Sequence, residues 1–156
     1  MNKFDELDMK ILSELIKDAS ISVPRLSKKL NINASVLYSR IKRMTKKGLI
    51  KKFTIVVNDE LLGINVKAII GINRDPKLKE NIHTELLKIP EVRMLSEVTG
   101  RFDMLVAVSS RTLEELHSVV IEKISKIEGL LNTETFVEMQ RTEKELHYLA
   151  KPMLVR

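Results

Sequence analysis

Apolar residues recur every three or four positions over the first fifty residues, which predicts three short helices. Leu7, Ile11, Leu12, Leu15 and Ile16 form the first stripe, with Asp5 placed to cap the helix and Asp8 at its third position. Ser22 as N-cap and Pro24 in the first turn open a second helix that buries Val23, Leu26 and Leu30. After Leu30-Asn31-Ile32 the chain turns. Asn33 caps a third helix, Ala34 to Lys47, whose inward side is Leu37, Ile41 and Met44; Gly48 stands where a helix would stop. Leu49 to Val57 is rich in β-branched residues and reads as a strand.

Beyond Glu60-Leu61-Leu62-Gly63 the pattern changes to alternating elements. Val66 to Asn73 reads as a strand. Asp75-Pro76 opens a helix running to Lys88, with Leu78, Ile82, Leu86 and Leu87 inward, and Pro90 breaks it. Glu91 to Val98 and Phe102 to Ser109 read as strands around a Thr99-Gly100 turn. Thr112-Leu113-Glu114-Glu115 is a capping box for a helix with Leu113, Leu116, Val120, Ile124 and Ile127 inward, ending at Gly129. Asn132 to Gln140 alternates as a last strand, and a basic tail follows Arg141. The order β-α-β-β-α-β is the split βαβ, ferredoxin-like arrangement, with two helices on one face of an antiparallel sheet. Apolar residues occupy both registers of Val66–Asn73 and of Met104–Val108, so the second sheet face is also apolar. Such a face usually needs a partner subunit, and a homo-oligomer is expected. The fold class is therefore α+β, with helix-turn-helix residues 1–50, a linker strand within 51–63, and a ferredoxin-like domain over 64–156.

Composition narrows the class. With 44% apolar and 31% charged residues in 156, the chain can bury a core and is neither disordered nor membrane-like. No apolar run approaches the roughly 20 residues that span a bilayer, and the N-terminus lacks a signal peptide's apolar stretch. There is no cysteine, which excludes disulfides and thiolate metal sites and suits a cytoplasmic home. The net charge of +6 is unevenly placed: residues 1–58 carry 13 Lys and Arg against 5 Asp and Glu, and the remainder is slightly acidic. No acid falls between Asp18 and Asp59, a window holding Arg25, Lys28, Lys29, Arg40, Lys42, Arg43, Lys46, Lys47, Lys51 and Lys52. Solvated faces normally mix both signs, so this window favours a polyanion.

A helix-turn-helix needs a bracing helix, a tight turn and a second helix whose polar face enters the major groove. The helix from Asn33 to Lys46 fits. Asn33, Ala34, Ser35, Tyr38 and Ser39 are candidates near its N-terminus, where small polar side chains reach base edges. Arg40, Lys42, Arg43, Lys46 and Lys47 suit phosphates, and Arg25 on the preceding helix joins them as a DNA-binding candidate. Period and length alone describe an ordinary amphipathic surface helix equally well; the absence of acids favours double-stranded DNA as partner.

Asp5-Glu6-Leu7-Asp8-Met9-Lys10-Ile11-Leu12, Ile32 to Met44, and Lys47-Gly48-Leu49-Ile50 resemble the opening, recognition helix and exit of the Lrp/AsnC, or feast-famine, regulator family. Val98-Thr99-Gly100-Arg101-Phe102-Asp103 resembles its TGxxD loop and Thr133-Glu134-Thr135-Phe136-Val137 its last strand. The resemblance covers nearly the whole chain. Asn33 departs from the family's Ser, Met44-Thr45 from its Leu-Glu and Ser20 from its frequent Arg, so base preference does not carry over. It implies a sequence-specific transcriptional regulator with a winged or plain helix-turn-helix. It further implies dimers associating into tetramers or octamers, and an amino acid as effector. Thr99, Gly100, Arg101, Phe102 and Asp103 would contribute to the effector pocket between subunits, with Thr133 and Thr135 lining it from a neighbour. Backbone N–H groups around Gly100 and Arg101 suit an α-carboxylate and Asp103 an ammonium. The alternative is that Gly100 merely makes a turn and Asp103 caps a strand.

An enzyme is not expected. The five glycines are too scattered for a phosphate or dinucleotide loop, and His83, His117 and His147 are isolated. Glu114 and His117 share a helical face, but two ligands do not make a metal site. No cofactor and no metal are expected. Two other readings stay open: an architectural DNA-binding protein with little sequence preference, and a ligand-sensing module that does not bind DNA.

Overall fold

A computed structural model describes residues 4–142; the basic tail beyond Thr142 and His147 lie outside the described residues. The chain divides into two compact units at Val56/Val57.

The N-terminal unit holds α1 (Glu6–Lys17), α2 (Val23–Leu30) and α3 (Ala34–Lys46). Asp5 and Asp8 cap α1 reciprocally: the Asp8 N–H donates to Asp5 Oδ1 at 2.9 Å and the Asp5 N–H to Asp8 Oδ2 at 3.0 Å. Ser22 sits at the N-cap of α2 without a side-chain capping bond, and Pro24 lies in the first turn. Asn31 closes α2 in the left-handed conformation, φ 52°, and the Ile32 N–H donates to Ser27 O; this makes the tight turn into α3. Ile11, Leu15, Leu26, Leu37, Met44 and Ile50 form the core, with Ile41 and Leu30 packed against it. Ile16, expected inward, is exposed at the edge of the stripe.

Residues 51–58 have no regular secondary structure, where β-branched content predicts a strand. Ile55 and Val56 are 81% and 98% exposed. A strand requires a neighbour to complete its hydrogen-bond ladder, and no described strand lies beside this one.

The second unit contains β1 (Val66–Arg74), α4 (Lys79–Leu87), β2 (Val92–Glu97), β3 (Met104–Ser110), α5 (Leu113–Ser118) and β4 (Leu130–Val137). The sheet is antiparallel with order β2-β3-β1-β4, the split βαβ topology read from the sequence. Ala68, Ile70 and Ile72 of β1 and Met104, Val106 and Val108 of β3 pack with Ile82, Leu86, Leu116, Val119 and Ile124 of the helices. Ile69 faces Ala107 and Phe136 across the ladders, on the opposite sheet face. Among the described residues neither α4 nor α5 lies on that face; the 59–64 segment reaches its rim, where Asp59 pairs with Lys67 at 2.8 Å.

Two helical details differ from the apolar pattern. Leu87 and Leu113 are exposed, since the first lies about 100° round the helix from Leu86 and the second is in the opening turn. After Ser118 the helix widens into a π-helical segment, Val119–Ile124, which buries Val119 with Ile124. Of the capping box expected at α5 one half forms: Thr112 Oγ1 accepts from the Glu115 N–H at 3.2 Å, while the Glu115 carboxylate accepts from the Arg111 N–H at 2.6 Å instead of from Thr112.

Candidate nucleic-acid interface and effector loop

Leu37 and Met44 are fully buried, so they orient α3. At 100° per residue, Ser35, Ser39, Lys42 and Lys46 then fall on the outward side with Tyr38 on one flank, and all are exposed. Asn33, Ala34 and Lys47 are exposed at the helix ends, and Arg25 is exposed on α2. The Asn33 cap ties up part of this set: Asn33 Oδ1 accepts from the Ser35 N–H at 2.8 Å and from the Ser35 hydroxyl at 2.7 Å. The Tyr38 and Ser39 hydroxyls make no hydrogen bond among the described residues.

Three cations of the acid-free window are engaged by acids from outside it. Arg40 Nη1 donates to both Asp5 oxygens, at 2.7 and 2.6 Å, and to Asp8 Oδ1 at 2.9 Å. Arg43 Nη2 pairs with Asp8 Oδ2, and Lys29 with Glu14. Asp8 is fully buried while Arg40 is one-quarter exposed, so this is a braced ion cluster between α1 and α3. The Arg40 hydrogen bonds, followed by the Asp8 backbone N–H, hold the Asp5 carboxyl below the usual range; Lys29 and then Lys17 do the same for Glu14. Arg40 and Arg43, read from sequence as phosphate ligands, are thus first of all struts. The charge pattern could not show this, because the acids lie 32 to 35 residues away in sequence. Arg25, Lys28, Lys42, Lys46, Lys47, Lys51 and Lys52 make no ion pair among the described residues.

One outward residue is absent from the sequence-based set. Val36 is 44% exposed on the flank of α3 opposite Tyr38. Its apolar neighbour Leu37 invites reading both as core, although only one of two consecutive helical residues can face inward fully.

In the second unit the loop Thr99–Asp103 closes over the end of β1. Gly100 adopts φ 133°. The Asp103 N–H donates to Ile72 O, the Val98 N–H to Asp103 O, and Asp103 Oδ2 accepts from the Arg74 N–H at 3.0 Å. Asn73 Nδ2 donates to Arg101 O, and Arg101 pairs with Glu134 at 2.8 Å while lying 5.3 Å over the Phe102 ring. Phe102 covers Gly71 and meets Phe136 edge-on at 6.1 Å. The N–H groups of Gly100, Arg101 and Phe102 make no hydrogen bond among the described residues, and neither does buried Asn73 Oδ1. The loop therefore offers a row of donors. Thr133 and Thr135 pair with Ile72 and Ile70 and so share the helix-covered face, whereas Phe102, Glu134 and Phe136 stand on the other. Within one chain the two threonines are not brought to the loop. The residues that are, Asn73, Arg74, Gly71 and Glu134, were missed because their register with the loop is a tertiary property.

Among the described residues no group of three metal-ligating side chains converges. A family model for a winged helix-turn-helix DNA-binding domain matches residues 4–51, and one for the Lrp/AsnC ligand binding domain matches residues 67–146. HTH-type transcriptional regulator FL11 of Pyrococcus furiosus is 35% identical, with 87% of this chain and 89% of that protein covered. Transcriptional regulator AzlB of Bacillus subtilis is 34% identical, with 90% of each covered. Among solved structures, E. coli AsnC aligns with a TM-score of 0.87 at 27% identity, covering 93% of this chain and 98% of that one. A Neisseria meningitidis transcriptional regulator solved with L-Met shares the fold, with a TM-score of 0.88 at 18% identity over 93% of this chain and 96% of its own.

Proposed function

This chain belongs to the Lrp/AsnC family of transcriptional regulators, and from that premise we propose that α3 reads operator DNA under control of an amino acid held at the Thr99–Asp103 loop. The family gives the coarse assignment: a helix-turn-helix that binds DNA, a domain that binds a small molecule, and a regulator rather than an enzyme. The single observation that carries the finer reading is the outward face of α3, which is exposed, acid-free and aimed by two fully buried side chains.

In this reading Tyr38 and Ser39 meet base edges, while Arg25, Lys42, Lys46 and Lys47 meet phosphates. Asn33, Ala34 and Ser35 form the helix N-terminus; the Ser35 N–H is taken by the Asn33 cap, and the positive end of the helix favours a phosphate oxygen there. Arg40 and Arg43 hold the pitch of the helix from behind. The effector's carboxylate takes the Gly100–Phe102 N–H groups and Arg101, and Asp103 anchors the loop and faces the ammonium. Thr133 and Thr135 belong to this site only if a second copy supplies them. That copy covers the open sheet face around Ile69, Leu105, Ala107 and Phe136, giving a dimer whose two α3 helices meet two half-sites; tetramers or octamers would be built from that dimer. The division is residues 1–50 for DNA, 51–63 for the linker and 64–156 for effector and assembly, and the protein acts in the cytoplasm. No described helix is long and apolar enough to cross a membrane.

The test is the ratio of affinities for a selected site and for random DNA at one fixed salt concentration. A sequence reader gives a ratio of ~10³ or more. A ratio near one identifies an architectural protein instead, and no binding to either leaves only the sensing module. Asp103→Ala should then weaken the response to the effective amino acid; an unchanged titration removes the loop from the site.

A further inference from the structure

The N-terminal half of α3 exposes three side chains whose chemistry neither capping nor phosphate binding uses, and one of them is apolar. Asn33 and Ser35 bond to one another at the helix start, and Arg40 and Arg43 are drawn back to α1. Lys42 and Lys46, further along, are long cations suited to the backbone. That leaves Val36, Tyr38 and Ser39 as the uncommitted side chains in the N-terminal half of the helix, the part that goes deepest into a groove. Val36 is the odd one. A β-branched residue is a below-average helix former, and a half-exposed valine adds little to the core. A lone exposed apolar residue is unremarkable on most surfaces. Here it lies about 60° round the helix from Ser39 and beside Ser35, on the flank of the outward face.

We propose that Val36 reads the C5-methyl group of a thymine in the major groove and so sets base preference at one position of each half-site. The thymine methyl is the one apolar group that projects into the major groove; apart from the flat cytosine C5–H, the other features read there are donors and acceptors, which valine cannot match. Against an adenine, guanine or unmethylated cytosine at that position, the valine methyls would desolvate polar edges without replacing their hydrogen bonds. Tyr38 and Ser39 supply the hydrogen-bonding part of the readout and Val36 the apolar part. This inference rests on α3 being a groove-reading helix, and it adds the identity of one base to that reading.

The experiment uses the full-length chain. A duplex site is selected from random sequence, then each thymine in it is replaced singly by deoxyuridine, which removes the methyl and nothing else. One position in each half-site should lose about fourfold in affinity, the worth of one buried methyl group. Val36→Ala should bind the unmodified site more weakly and be indifferent to deoxyuridine at that same position. Val36→Thr, which keeps one methyl and the branched shape, should retain part of the sensitivity. If the native protein ignores every deoxyuridine, or Val36→Ala keeps the full penalty, the assignment is overturned while α3 remains a DNA reader. If selection enriches no sequence, base reading by α3 fails and this assignment fails with it.

Discussion

Asp8 is a fully buried carboxylate in the smaller of the two cores, and it is made tolerable there by three donors: Arg40, Arg43 and the Asp5 N–H. Removing it leaves the Arg43 guanidinium and the Asp5 N–H without their acceptor and Arg40 with Asp5 alone. Asp8→Ala should therefore destabilise the N-terminal unit by on the order of 3 kcal/mol, as breaking a buried ion pair does, measured by urea unfolding. It should also weaken operator binding more than random DNA binding, because α3 loses its set angle. Asp5 tests the electrostatic part separately. Its carboxyl is held below the usual range chiefly by Arg40, so its contribution is complete above the unfolded pKa of about 4 and is lost as pH falls through the folded value. Asp5→Asn retains a capping oxygen but not the charge. The variant should be less stable than the native chain at pH 7 and should show a shallower loss of stability between pH 4 and 2. Equal slopes in that window would show that the pair does not contribute.

At the scale of elements, Gly71 decides where the Thr99–Asp103 loop, the proposed effector site, lies. A Cβ at this position of β1 would sit 2.6 Å from the Phe102 ring, so only glycine lets the ring rest on the strand. Gly71→Ala should cost about 1–3 kcal/mol of overpacking and displace Phe102 with Arg101 and the adjoining donors. Calorimetric titration with amino acids should show weakened binding, with the N-terminal unit's DNA affinity retained in the absence of effector. The same strand shows how much the sequence discloses. The apolar run of β1 and the caps at Asp5, Asn33 and Thr112 are local, and they were legible. The π-helical turn at Val119–Ile124 was not, since a change of helical pitch leaves an apolar stripe that still looks periodic. Nor was the absence of regular structure at 51–58: β-branched residues state a preference that only a neighbouring strand can satisfy. The candidate sites divide the same way. The motifs that make α3 and the Thr99–Asp103 loop candidates lie along the chain, whereas the capture of Arg40 by Asp5 and Asp8 and the turning of Thr133 away from Phe102 depend on which residues the fold brings together.

Over the whole molecule two features remain to be reconciled: cations concentrated in one unit and an apolar sheet face in the other. The seven Lys and Arg residues of the N-terminal unit that make no ion pair among the described residues would, in the proposed reading, meet one DNA half-site, with affinity falling steeply as salt rises. Lys46→Ala should lower affinity for operator and random DNA alike and reduce the slope of log affinity against log salt by roughly 1 for each copy bound. One half-site gives too few base contacts for a specific regulator, and here the sheet enters. Ile69, half-buried, lies between Ala107 and Phe136 on the face that neither α4 nor α5 covers. Burying that face against a second copy would pair two recognition helices and make the second binding event intramolecular. Ile69→Glu tests the link, because its side chain points away from Ala68 and Ile70 and the unit's own core should survive. Analytical ultracentrifugation should show the native chain as a dimer or larger and the variant as a monomer, with operator affinity reduced at least a hundredfold and random-DNA affinity much less. A variant that stays assembled, or a monomer that binds its operator undiminished, would break the connection between the sheet face and DNA reading.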